Sequence, residues 1–271
     1  MKIAALQMIS TPRVADNLQA ARRLLAQAAG GGAGLAVLPE YFCLMGQSDR
    51  DKLGVAEALG TGPIQDMLAA AAREHGLWLV GGTLPLAIPG RDDRVMNASL
   101  VYSPQGERVA RYDKIHLFRF DNGRERYDEG RTLEAGQEPV AFAAGPLRVG
   151  LSVCYDLRFP ELYRRLTEVA CDLLCVPSAF TYPTGLAHWE VLLRARAIEN
   201  QCYVIAAAQG GQHENGRRTF GHSLVVDPWG EIVALLAEGE GVVYAELDLE
   251  RIAEVRRQLP ALEHRRRLPS G

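Results

Sequence analysis

The chain has 271 residues, 48% of them hydrophobic and 23% charged, enough to bury a sizeable core without disulfides or a structural metal. Thirty Lys and Arg against 33 Asp and Glu leave a net charge of −3, which argues against a nucleic-acid partner. No apolar run reaches the ~18 residues that a membrane span needs. Five cysteines, an odd number, fit a reducing cytoplasm better than a disulfide framework.

Strand-like and helix-like stretches alternate along the whole chain. Residues 2–9 read as a first strand and not a signal peptide, because Gln7 breaks the apolar run and Thr11-Pro12-Arg13 follows. Residues 14–29 have helical spacing and stop at Gly30-Gly31-Gly32; 35–38 are a short apolar strand stopped by Pro39. A helix is expected over 63–75, with Pro63 in its first turn and Gly76 past its end. Strands follow at 77–82, 97–102 and 108–112, the last two flanking a Ser103–Glu107 turn. Further on come a buried strand at 147–153, a helix at 159–169 and a strand at 173–177. The clearest helix is 186–200, with Leu186, Leu193 and Ile198 assigned to one side and Glu190 and Arg194 at i,i+4 spacing. Strands at 204–208, 223–226, 232–236 and 242–247 complete the pattern. This is a mixed-sheet α/β chain, read as one domain over residues 1–271. The biased segment is the tail His264-Arg265-Arg266-Arg267, a solvated end or a partner contact.

Most chemical leads dissolve. The glycines at 30–34 precede a strand instead of opening a helix, so they are no phosphate loop. Cys171 and Cys175 lack a second ligand pair, the six histidines are scattered, and HExxH is absent, so no metal is expected. Cys154 stands apart. It ends a buried strand and precedes a helix, a corner where backbone amides favour a thiolate; a small core hydrophobe is the bland alternative. Glu40 and Lys114 also sit just past the C-terminal ends of strands, where open α/β sheets keep their sites. Singly each reads as a surface charge. Together, a carboxylate, an ammonium and a thiol supply a base, an oxyanion donor and a nucleophile for acyl transfer. A Cys–His pairing with His116 or His188 is the competing arrangement.

Three segments, LPEYF (38–42), YDKIHLF (112–118) and GLSVCYDLRFPELYR (150–164), resemble the signature segments of the nitrilase, or carbon–nitrogen hydrolase, superfamily. The resemblance implies a four-layer α-β-β-α sandwich, no cofactor, and a homodimer or larger homo-oligomer. It implies Glu40 as general base, Lys114 as oxyanion-stabilising lysine, Cys154 as nucleophile and Glu129 as a second, orienting glutamate. The backbone N–H of Tyr155 would be the second oxyanion donor. Residues 179–211 and 221–231 are similar to the deaminated glutathione amidase branch, with the α-ketoglutaramate-hydrolysing ω-amidases and other small amide or nitrile hydrolases as alternatives. A non-enzymatic binding or scaffold homologue is the further alternative, and intact Glu40, Lys114 and Cys154 argue against it. Such a substrate carries carboxylates. Arg158 is the first candidate to receive one, unless it pairs with Glu161; Phe180, Thr181 and Thr184 are expected pocket residues, and His188 and Trp189 are expected under the site.

Overall fold

Alternation along each strand decides the architecture. In strand Lys2–Gln7, Ile3 and Ala5 join one buried cluster while Ala4 and Leu6 join another; in Leu35–Val37, Leu35 and Val37 separate from Ala36 in the same way. A sheet whose two faces are both apolar must be covered on both sides. The computed structural model, which describes residues 1–123 and 126–266, shows how.

An eight-stranded sheet runs in the order Gly241–Glu246, Lys2–Gln7, Leu35–Val37, Trp78–Val80, Arg91–Tyr102, Leu84–Ile88, and Arg108–Asp113 and Leu133–Glu134 also pair with Arg91–Tyr102. A six-stranded sheet runs Ala141–Ala144, Leu147–Leu151, Leu173–Cys175, Tyr203–Ala206, Ser223–Val226, Ile232–Leu236. The sheets pack face to face through Ile3, Val37 and Val80 on one side and Val149, Leu151 and Ile205 on the other. Helices α1 (Val14–Gly30) and α2 (Pro63–His75) cover the outer face of the first sheet through Leu24, Leu25, Met67 and Leu68. Helices α3 (Pro160–Leu166) and α4 (Tyr182–Asn200) cover the second through Leu162, Trp189 and Leu193. The result is the expected α-β-β-α sandwich.

Several local expectations change. Leu84–Ile88 and the charged first half of Arg91–Tyr102 form strands that the sequence reading left out. In α4 Leu193 is buried, but Leu186 and Ile198 are 68% and 48% exposed; the inward face is instead Trp189, Leu193, Arg196, Ala197 and Asn200. Arg194 Nε donates to the Gly230 carbonyl at 2.7 Å, and no ion pair forms with Glu190. Arg265 and Arg266 are exposed, and Arg267 lies outside the described residues. No helix among the described residues is long and apolar enough to cross a membrane.

Strands of both sheets deliver their C-terminal ends to one region. Leu35–Val37 leads into Glu40, Arg108–Asp113 into Lys114, and Leu147–Leu151 into Cys154. These ends belong to two facing sheets, so the three side chains meet across the sandwich.

Candidate active site

Each functional side chain is held by its own loop. Gly82, at φ 56°, lies against the Pro39 carbonyl, where a Cβ would overlap it, and this lets the turn into Glu40 pack tightly. Gly136 likewise faces the Asp113 carbonyl and donates its N–H to the Lys114 carbonyl at 2.9 Å. Cys154 itself has φ 49°, a left-handed conformation that a non-glycine residue holds only when its surroundings enforce it. The surroundings do so: the Cys154 N–H donates to the Pro177 carbonyl at 2.9 Å. Asp156, fully buried, accepts from the Val153 N–H at 2.8 Å, the Tyr112 hydroxyl at 2.7 Å and the His116 N–H at 3.0 Å. That one carboxylate ties the Cys154 turn to the segment carrying Lys114.

The charges are buried and mutually satisfied. Lys114, 1% exposed, donates to Glu40 Oε1 at 2.9 Å and to both Glu129 oxygens at 3.0 and 2.8 Å. Glu40, also 1% exposed, accepts from Asn97 Nδ2 at 3.0 Å and from the Ala179 N–H at 3.0 Å. Glu129 accepts from the Tyr41 hydroxyl and the Phe118 N–H, both at 2.7 Å. Burial alone would discharge Lys114, but Glu129 and Glu40 outweigh it and hold its ammonium above the ordinary lysine range. Burial would likewise raise Glu129, yet Lys114 and the hydrogen bonds of Phe118 and Tyr41 hold its carboxyl below the usual range.

Cys154 departs from expectation. Burial pushes its thiol well above the ordinary cysteine range, and the Glu40 charge adds to this against the opposing Lys114. The resting group is the thiol. For Sγ to act as a nucleophile its proton would have to be removed, and Glu40 is the carboxylate beside it.

The other expected residues divide. Tyr155, Arg158, Phe180, Thr181 and Thr184 line the cavity around Cys154 together with Glu40 and Glu129. Arg158 does not pair with Glu161: it lies over the Tyr155 and Phe180 rings at 5.8 and 5.3 Å, with Nη1 3.1 Å from His188 Nδ1. Thr181 and Thr184 hydrogen-bond each other at 2.8 Å across the first turn of α4. Trp189 is buried against Phe180, ring centroids 4.7 Å apart, but His188 is exposed and does not underlie the site. His116 serves no Cys–His pair; its Nδ1 is 2.7 Å from Asp156 and its ring stacks on Phe159.

Sequence reasoning missed Asn97, Asp156 and Tyr41 as site-shaping residues. Asn97 had one local signal, a polar residue opening a mainly apolar strand. Asp156 and Tyr41 lay unremarked inside the signature segments.

A buried thiol set among two carboxylates and an ammonium, at the mouth of an α-β-β-α sandwich, is equipment for acyl transfer without a metal. Among the described residues no cluster of His, Cys, Asp and Glu could hold a metal ion. Residues 2–257 match the carbon–nitrogen hydrolase family model. The chain belongs to the carbon–nitrogen hydrolase family. It is 43% identical over 266 residues to a deaminated glutathione amidase of Synechocystis sp., covering 97% of each chain. It is 42% identical over 273 residues to a human protein of the same name, covering 97% of this chain and 82% of the other. Its fold is similar to that of the C. elegans NitFhit protein, with a TM-score of 0.90 and 41% identity over 98% of this chain and 65% of that longer one.

Proposed function

We propose that the chain is a cysteine-dependent amidase that hydrolyses deaminated glutathione to α-ketoglutarate and Cys-Gly. The observation that carries the chemistry is the convergence of Glu40, Lys114 and Glu129 on the Cys154 cavity. The name shared by relatives from bacteria and mammals supports the substrate.

Glu40 takes the Cys154 proton as Sγ bonds to the carbonyl carbon. Lys114 has three N–H groups; one serves Glu40 and one can serve the Glu129 carboxylate, which leaves the third for the developing oxyanion. The Tyr155 N–H is the second donor. As the C–N bond breaks, Glu40 returns its proton to the departing amine of Cys-Gly. Water then gives a proton to Glu40 and its oxygen to the thioester carbon; the C–S bond breaks, and the proton restores the thiol. Glu129 orients Lys114 throughout. Arg158 receives a substrate carboxylate, with Phe180, Thr181 and Thr184 shaping the cavity.

The setting belongs to the same proposal. All five cysteines are unpaired and buried, in keeping with a reducing cytoplasm. Val191 and Leu186, 70% and 68% exposed on α4, support pairing of two copies into a homodimer or larger assembly, which molar mass by light scattering tests.

The functional test is α-ketoglutarate release from deaminated glutathione and from α-ketoglutaramate side by side, with Cys154→Ala as blank. A kcat/KM about tenfold or more higher for deaminated glutathione is expected, a preference worth about 1.4 kcal/mol. The reverse preference would make the chain an ω-amidase, and turnover by the blank would remove Cys154 from the chemistry.

A further inference from the structure

Next to the Cys154 cavity lies a roomier one of about 210 Å³. The two share Phe118, Glu129 and Arg217, so a molecule seated on Cys154 can extend past Glu129 into the second. Two cations, Lys52 and Arg217, face this space beside the carboxylates of Asp49, Asp128 and Glu129. Lys52 Nζ is 5.3 Å from the centre of the Tyr41 ring, and the Arg217 guanidinium is 4.9 Å from that of Tyr127. Among the described residues neither cation has a carboxylate within ion-pair distance. Glu129, on the shared wall, is committed to Lys114, Tyr41 and Phe118. Arg217 donates to the Ala179 carbonyl at 3.0 Å, while its Nε is buried with no hydrogen-bond partner. Burial holds the Lys52 ammonium below the ordinary lysine range, although Glu129 and Asp49 act against this. Unpaired charge and an unpaired donor in a concave wall are costly until an anion reaches them.

We propose that this cavity receives the leaving half of the substrate, with Lys52 and Arg217 binding its terminal carboxylate; the assignment rests on the amidase reading above. Deaminated glutathione has a carboxylate at each end of the scissile amide. Arg158 lines only the Cys154 cavity and Lys52 only the larger one, so the two ends meet separate cations. The Cys-Gly half is the bulkier, with a side branch and a second amide, and it takes the roomier space. α-Ketoglutaramate releases ammonia and leaves the cavity unused. The cavity thus selects secondary amides with an anionic tail over primary amides.

The test compares wild type and Lys52→Met on deaminated glutathione, on its glycinamide form and on α-ketoglutaramate. A hydrogen bond between charged partners is worth roughly 1.5–3 kcal/mol, or about tenfold to a hundredfold. In wild type, amidating the glycine carboxylate is expected to cost about tenfold or more in kcat/KM. In Lys52→Met the ratio of kcat/KM for deaminated glutathione over α-ketoglutaramate is expected to fall by a similar factor, and the amide is expected to differ little from the acid. An unchanged ratio, or wild type indifferent to amidation, would overturn the proposal. If wild type hydrolyses neither compound, the substrate reading fails, and binding decides this one. Calorimetry of N-acetyl-Cys-Gly and its amide on Cys154→Ala is expected to favour the acid about tenfold, and equal binding would refute it.

Discussion

Asp156→Asn isolates what a single buried carboxylate contributes to this site. Asp156 Oδ1 accepts from the His116 N–H at 3.0 Å and lies 2.7 Å from His116 Nδ1; Oδ2 accepts from the Val153 N–H at 2.8 Å and the Tyr112 hydroxyl at 2.7 Å. An asparagine of the same shape keeps only one acceptor oxygen. Tyr112 can reverse its hydroxyl and His116 can present a bare ring nitrogen, but neither backbone N–H can become an acceptor. Whichever way the amide points, one backbone N–H, buried at Val153 or part-buried at His116, faces an NH₂ group. Leaving a buried donor unsatisfied costs about 1–3 kcal/mol, and exchanging charged for neutral acceptors elsewhere adds about 1 kcal/mol. The variant is therefore expected to lose roughly 2–4 kcal/mol in urea unfolding at an unchanged m-value. If the N–H of Val153 is the one released, the left-handed Cys154 turn shifts relative to Lys114. A displacement near 1 Å costs about 10²-fold in rate, so kcat is expected to fall far more than KM rises. Stability within about 0.5 kcal/mol of wild type together with wild-type kcat would refute this account, because only surface substitutions behave so.

Three further outcomes follow from the charge cluster. Lys114→Ala is expected to lower kcat by roughly 10²–10³-fold, the loss typical of an oxyanion-hole donor, in single-turnover assays that isolate the chemical step. Glu40→Gln removes the negative charge that helps keep the Cys154 thiol protonated. The pH midpoint for iodoacetamide alkylation of Cys154 is therefore expected to move down while amide turnover is lost; an upward shift would contradict the assignment of charges. Glu129 is held below the ordinary carboxylate range by Lys114 and its hydrogen bonds. A depressed folded-state pKa gives stability that is present above the unfolded-state value and is lost as pH falls through the folded one. Wild type is thus expected to lose stability in acid below the usual glutamate range, and Glu129→Gln is expected to flatten that limb while lowering stability at neutral pH.

What the sequence revealed about the site depended on how local each signal was. Glu40, Lys114 and Cys154 are legible because each follows closely on the end of a short strand, and strand ends are where open sheets keep polar chemistry. That they meet across two sheets was not legible from strand ends alone; it follows from the two-sided burial of residues such as Ile3 and Ala4, which demands a second layer. Leu84–Ile88 escaped because Pro85 argues against a strand, and residues 91–94 because Arg91, Asp92, Asp93 and Arg94 mask the pattern of a long strand whose start projects into solvent. The inward face of α4 was misread because Arg196 and Asn200 are buried there: Arg196 donates to the Leu157 carbonyl at 2.9 and 3.1 Å, and Asn200 accepts from Thr167 at 3.0 Å. A polar residue satisfied by a partner 39 positions away carries no local mark of burial. The same holds for Lys52 and Arg217, whose shared wall exists only in the folded chain.

The most direct test of the central claim is intact-protein mass spectrometry of enzyme quenched during turnover of deaminated glutathione, with peptide mapping of any adduct. The account predicts an α-ketoglutaryl thioester on Cys154 that forms faster than it is hydrolysed when Glu40 is replaced by a weaker base such as Asp. It also predicts no adduct in Cys154→Ala. Turnover with no adduct on Cys154, or turnover retained in Cys154→Ala, would contradict it.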